Sequence, residues 1–367
     1  MADKQRQDVG ESYTQRVWKR LKRHRSGLFG LIIVGLLVVT AALAPLLAND
    51  RPIVAKYKGD LVFPAFTTYV DAWVPWRSMR NEMKSLEIGE GNFPFSDYYP
   101  ALEGKRWVDV RGTPDLTADL WPVVPFSPTQ FTPGVIRKLP GELEGHPLGT
   151  DDLGRDVLAR LIHGTVVAML VGLISQTIAV TIGVTLGLAA GFRGGWVDLV
   201  LSRITEIVMC FPTFFLIIAV IAFLEPSIVN IMAVIGGVAW TNQFRLIRGE
   251  VLKVRNLEYI TAARALGIPT TRIMFRHVLP NAISPIFVSV AFGVASSVLL
   301  ESSLSFLGFG DPNAPSWGEI VKQGRIYVQQ GLWHLTVFPG LAIFVTLTAF
   351  NLLGQGLRDA MDPKLRD

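Results

Sequence analysis

The chain has 367 residues, half of them hydrophobic and only 18% charged, with a formal net charge of +5. Its apolar residues gather in blocks rather than amphipathic stripes, which excludes an ordinary soluble domain and points to membrane spans. The positive charge is unevenly distributed and no recognition helix or aromatic-interleaved basic strand accompanies it, so membrane sidedness explains it better than nucleic acid.

Residues 1–26 carry eight Lys/Arg against three acids and end in RVWKRLKRHR. Residues 27–48 follow as an apolar run longer than the core of a secretory signal, which predicts a retained first span with a cytoplasmic N-terminus. Residues 49–145 break this composition, holding 11 of the 22 prolines and four of the nine tryptophans. Ile53-Val54-Ala55 and Phe66-Thr67-Thr68-Tyr69-Val70 read as short strands, so this stretch is expected to be an extracytoplasmic insert of mixed, β or irregular structure. The undecapeptide HPLGTDDLGRD, His146 to Asp156, lacks calcium-loop spacing and reads as a capped turn opening a helix.

Five further spans are predicted near 163–191, 198–223, 228–247, 281–307 and 336–356, six in all. Gly183, Gly187 and Gly191 give two overlapping small-xxx-small spacings for close helix approach, and Pro212 should kink the next span. With both termini inside, basic residues sort to one side: eight in the N-terminal tail, seven from Arg245 to Pro280 and three from Arg358 onward. The short outer connections 225–230 and 308–335 hold none and two. Glu206 and Glu301 fall inside apolar runs, where a charge costs ~2.5–3.5 kcal/mol on insertion scales, so both are candidates for lining a pathway. Each has a blander reading as a carboxylate paired with a neighbouring Ser, Thr or Arg, Arg203 standing close to Glu206. Trp317, in the loop Gly308 to Gly331, is either an interfacial anchor or a docking point for a protein outside.

Asn256 to Asn281, NLEYITAARALGIPTTRIMFRHVLPN, is a polar island between apolar runs. Asn256 and Glu258 mark a helix start, Gly267 a left-handed exit and Pro269 a stop, giving a rod over Leu257 to Gly267. Ala262-Ala263 leaves its middle small enough for another protein surface to approach. Two alanines, a glycine four on and a later Leu-Pro, here Ala262, Ala263, Gly267, Leu279 and Pro280, resemble the cytoplasmic coupling loop (the EAA loop) of ABC-importer membrane subunits. The Glu that opens the family motif falls on Thr261, with Glu258 one helical turn back, and His277 replaces the usual Ile. The 146–156 segment and the ending NLLGQGLRDAMDPKLRD resemble the C-type permeases of the dipeptide/oligopeptide/nickel branch. ANDRPIVAKYKGDLVFP at the head of the insert looks like the Yej-type peptide permeases, whose first outer loop is extended.

No phosphate loop, HExxH, CxxC or nucleophile elbow is present, so the chain is not expected to be an enzyme or to hold a metal. The resemblance implies an all-α polytopic inner-membrane protein with six transmembrane helices and the type I ABC importer permease fold. It divides as 1–26 tail, 27–48 first span, 49–145 insert and 146–367 permease core with the 256–281 coupling loop. It also implies a second, homologous permease, two cytoplasmic ATPase subunits carrying ATP and Mg, and an extracytoplasmic solute-binding protein. Glu258, Thr261, Ala262, Ala263, Arg264, Gly267, Leu279 and Pro280 would contact the ATPase, Arg264 pairing with an acidic group there. The substrate class is then peptides, with nickel or another small solute as the alternative. An ion-coupled secondary transporter built on Glu206 and Glu301 is a rival of a different class.

Overall fold

The computed structural model describes residues 13–57, 60–66 and 116–361. Of the strand expected at Phe66–Val70, Phe66 instead closes a 3-10 turn (Pro64–Phe66), and the remaining positions, with the outermost parts of both tails, lie outside the described residues.

A short basic helix, α1 (Tyr13–Arg23), meets α2 (Arg25–Leu47) at His24, whose side chain caps α2 by accepting from Gly27 N–H at 3.1 Å. The insert then contributes β1 (Val54–Tyr57), β2 (Asp60–Val62) and β3 (Leu116–Leu120), an antiparallel sheet in the order β2-β1-β3. The expected strand at Ile53-Val54-Ala55 is therefore present from Val54 on, while β3 carried no clear signal. Backbone bonds of Val124 N–H to Leu47 and of Asn49 N–H to Val124 tie the returning chain to the end of α2.

The core helices are α3 (Val157–Arg193), α4 (Gly195–Met209), α5 (Thr213–Ile221), α6 (Ile228–Val254), α7 (Glu258–Ala265), α8 (Thr270–Ile273), α9 (Leu279–Ala282), α10 (Ser284–Leu307), α11 (Trp317–Tyr327) and α12 (His334–Met361). Among the described residues, four are long and apolar enough to cross a bilayer: α2, α3, α10 and α12. The pair α4–α5 makes a fifth only as one broken span, because the kink expected at Pro212 is an 84° bend. The sixth expected span, α6, has the length at 27 residues, but Thr241, Asn242, Gln243, Arg245 and the charges beyond make its second half polar.

The glycine spacing acts as predicted. Cβ atoms built on Gly183 and Gly191 would approach the backbone oxygens of Trp240 and Arg248 to 2.6 and 3.0 Å, so α3 and α6 pack with their backbones nearly touching. At the other face, Gly27 of α2 meets Gly356 of α12 at similar range. A polar bridge crosses the apolar interior where Gln176 Nε2 donates to Ser297 Oγ at 3.1 Å.

These contacts sort the molecule into two ends. His163 Nε2 bonds the Ala48 carbonyl at 2.8 Å and Trp317 Nε1 donates to the Leu161 carbonyl at 3.0 Å, placing the insert, the 146–156 turn and α11 together. The α2–α12 glycine contact puts α1 at the opposite end, where α3 and α6 also finish against α7.

The 146–156 segment is the capped turn its sequence suggests. Asp156 caps α3, accepting from Ala159 N–H at 2.6 Å, and its other oxygen lies 2.8 Å from His146 Nδ1, whose ring stacks on Phe126. Burial holds the Asp156 carboxyl above the ordinary carboxylate range, against the opposing pull of Ala159 N–H and His146. Asp151, wholly buried, accepts from Leu153 and Arg155 N–H at 2.9 Å, from Arg155 Nε at 2.7 Å and from Arg160 at 2.5 Å.

Candidate functional site

The polar island Asn256 to Asn281 folds as two helical runs joined by one tight turn: α7, then the unbroken sequence of α8, a π turn and α9. α7 runs for eight residues, shorter than the Leu257–Gly267 rod expected, because Leu257 holds the cap position. Asn256 does not cap it. Its Nδ2 donates backward to the Leu252 carbonyl at 3.2 Å, closing α6 instead. The exit is as read: Gly267 has φ +73°, its N–H bonds the Arg264 carbonyl at 2.9 Å, and Ile268 N–H bonds Ala263 at 3.2 Å. Those two bonds are the paired pattern of a Schellman end, which demands a left-handed residue where glycine stands.

One face of α7 is fastened to the bundle. Ile260 and Ala263 are buried among Leu188 and Phe192 of α3, Ile247, Val251 and Val254 of α6, and Ile273, Met274 and Val278 of the next turns. Burial therefore separates the two alanines, Ala263 inward and Ala262 exposed. Glu258, Thr261 and Arg264 are also exposed, and the Arg264 guanidinium lies 4.8 Å from the centre of the Phe192 ring. Sequence reasoning missed the aromatic and aliphatic part of this outer face, where Tyr259, Leu266 and Phe275 are 44%, 79% and 58% exposed. Their spacing was visible, but only the inward turn of Ile260 and Ala263 reveals which side they occupy.

The Leu-Pro end forms a π turn over Met274–Val278, in which Leu279 N–H reaches back to Met274. Pro280 has no N–H to give, and Asn281 Nδ2 covers the His277 carbonyl at 2.7 Å. Leu279 packs on the same cluster as Ile260, whereas Pro280 is exposed. One apolar cluster thus joins α7 to α3, α6 and the start of α10.

The two carboxylates of the apolar runs have different surroundings. Glu206 on α4 is exposed and accepts from Arg203 Nη1 at 2.6 Å. It lines a groove with Ser202, Thr205, Met209, Phe244 and Arg245. Glu301 on α10 is buried, accepting from Ser305 Oγ at 2.7 Å and from Ser302 Oγ at 3.4 Å, with Ser316 as a further partner. It has no open surface in this conformation. The expectation for Trp317 is overturned. Its ring is 2% exposed and sits on Gly164, so it neither anchors at an interface nor offers a docking surface.

Comparison with known proteins bears on the whole chain. The family described as "Binding-protein-dependent transport system inner membrane component" matches residues 183–367. A second, "N-terminal TM domain of oligopeptide transport permease C", matches residues 12–60. The chain is 30% identical to the peptidoglycan transport system permease protein YejE of Agrobacterium fabrum over 377 residues, covering 96% of this chain and 93% of that protein. It is 40% identical to the dipeptide transport system permease protein DppC of Alkalihalophilus pseudofirmus over 230 residues, 62% of this chain and 75% of the relative. The corresponding dipeptide permease of Escherichia coli K12 is 41% identical over 249 residues, 66% of this chain and 83% of its own length. At 96% of this chain, the likeness to YejE takes in the insert. Matched over half its length by the first family and end to end by a relative, the chain belongs to the inner-membrane permease components of binding-protein-dependent transport systems.

Proposed function

We propose that the chain is the C-type membrane subunit of an ATP-driven importer that carries peptides delivered by a solute-binding protein. The observation that carries this reading is the fastening of α7: a rigid, closed helix with an exposed outer face and an inner face locked to three long helices. In this reading α7 receives a push from an ATPase subunit that holds ATP and Mg. Glu258, Thr261, Ala262 and Arg264, with Tyr259 and Leu266, form the contact. Gly267 closes the helix, and Leu279 and Pro280 pass the motion to α10. A homologous second permease completes the pore, a second ATPase completes the motor, and α1, α7 and both termini face the cytoplasm. All six apolar segments cross the membrane, α6 lining the pore with its polar half.

Transport through such a subunit requires that ATP binding and the loaded binding protein each favour one of two arrangements of the spans. Peptides are the substrate class supported by the names of the relatives, dipeptides for two of them and peptidoglycan for YejE. Nickel or another small solute is the alternative. Ion-coupled transport has less support, since Glu206 is matched by Arg203 and Glu301 by serines.

The test is purification of the complex from its native membrane and reconstitution with its binding protein. An ATPase and a second permease should accompany the chain, and labelled peptide should enter vesicles only with ATP. Uptake driven by an ion gradient without ATP overturns the proposal.

A further inference from the structure

Five charged side chains stand in or beside the groove between α4 and α6. Arg203 donates to Glu206 at 2.6 Å, and Arg248 holds Asp198 through Nε and Nη2, the latter at 2.7 Å. Two acids are thus matched by two arginines. Arg245 is the fifth charge. It is exposed in the groove, and its Nη1 donates to Met209 Sδ at 3.7 Å. A thioether is a weak acceptor and leaves a guanidinium's charge uncompensated.

Arg245 lies roughly 26 Å along α6 from Ile228 at 1.5 Å per residue, which brings it near the inner edge of a hydrocarbon layer about 30 Å thick, the side to which the basic residues sort. Near that edge a long cationic side chain reaches water readily, so the groove around Arg245 is a wet one. The groove has the concavity for a ligand, with a volume of about 660 Å³, inside the range of small-molecule sites. Ser202, Thr205, Met209, Cys210 and Phe244 line the same groove, a mixed set of polar and apolar residues.

We propose that Arg245 is an anion subsite on the translocation path and receives the terminal carboxylate of the peptide as it passes. The inference rests on the reading of peptide uptake above and names a contact within it. Side chains differ from one peptide to the next, so a pathway serving many of them can rely only on shared groups, of which the terminal carboxylate is the anion. The planar fork of arginine matches a carboxylate's two oxygens, and exposure keeps the contact weak enough to release. The position also reports to the motor side, since Val251 and Val254 of the same helix pack on Ile260 of α7.

The experiment uses the whole complex in proteoliposomes with its binding protein, and labelled tri-alanine against its C-terminal amide. Uptake is normalised to peptide bound by the binding protein. Arg245→Gln should lower tri-alanine uptake five- to tenfold relative to the amide, with Arg245→Lys intermediate and the second permease still co-purifying. An equal loss for acid and amide, or no loss, overturns the subsite while peptide uptake stands. Loss of the second permease from the Arg245→Gln complex also overturns it, assigning Arg245 to the subunit interface. A wild-type complex that moves neither peptide overturns peptide uptake itself, and the subsite with it.

Discussion

A Cβ built on Gly187 of α3 would lie 2.7 Å from the carbonyl oxygen of Phe244 in α6, so the second long helix and the groove helix cross with no room for a side chain. Gly187→Leu should therefore force the helices apart and cost about 1–3 kcal/mol or more by overpacking. Gly237 of α6 has nothing within 4 Å of an added methyl, and Gly237→Ala should stabilise by up to ~1 kcal/mol through helix propensity. Thermal unfolding of the purified complex in detergent distinguishes them, and equal melting temperatures would refute the close crossing.

Asp151 is the hub of the turn that opens α3. Asp151→Asn should remove the charge that balances Arg155 and Arg160, leaving Arg160, itself 2% exposed, buried beside Gln323 Oε1 at 2.6 Å. Breaking a buried pair from one side costs about 3–5 kcal/mol. The check is the amount of folded protein recovered from membranes, which should fall sharply.

Gly267→Val should leave membrane insertion intact but separate ATP hydrolysis from uptake, because a β-branched residue resists the left-handed φ of +73°. The penalty is roughly 1–2 kcal/mol at one residue, enough to fray the end of α7 without unfolding the bundle. Gly267→Asn, better tolerated in that region, should restore much of the coupling. The ratio of peptide moved to ATP consumed reads both variants.

Trp317→Phe keeps most of the buried ring but loses the 3.0 Å bond from Nε1 to the Leu161 carbonyl. It should cost about 1–3 kcal/mol for an acceptor left without its partner, seen as a lower melting temperature. Affinity for the binding protein, measured on the folded fraction, should stay unchanged.

Glu301→Gln keeps the size of the side chain and one acceptor for Ser305 and Ser302. A stability loss of ~1 kcal/mol is expected, with any fall in uptake shared by all peptides. A change in the ranking of peptides by uptake would return Glu301 to the pathway.

Features that depend on neighbours a few residues apart were legible in the order of residues. Apolar blocks marked the long helices, Gly267 and Pro269 the end of α7, and the 146–156 aspartates and glycines a capped turn. The three glycines of α3 marked its close face, and Arg203 stood one turn from Glu206. Each of these follows from helix period, backbone freedom or i to i+4 contact, all of which are local.

Which groups meet from far along the chain came only with the packed fold. Trp317 reaches Leu161 and Arg160 reaches Gln323 across more than a hundred and fifty residues, 156 and 163 respectively. The same packing sent Ala263 inward and Ala262 outward, and left Arg245 opposite a sulfur rather than an acid. Burial and charge pairing depend on which helix lies against which, and that follows from the shapes of whole faces, such as the glycine track that brings α6 onto α3.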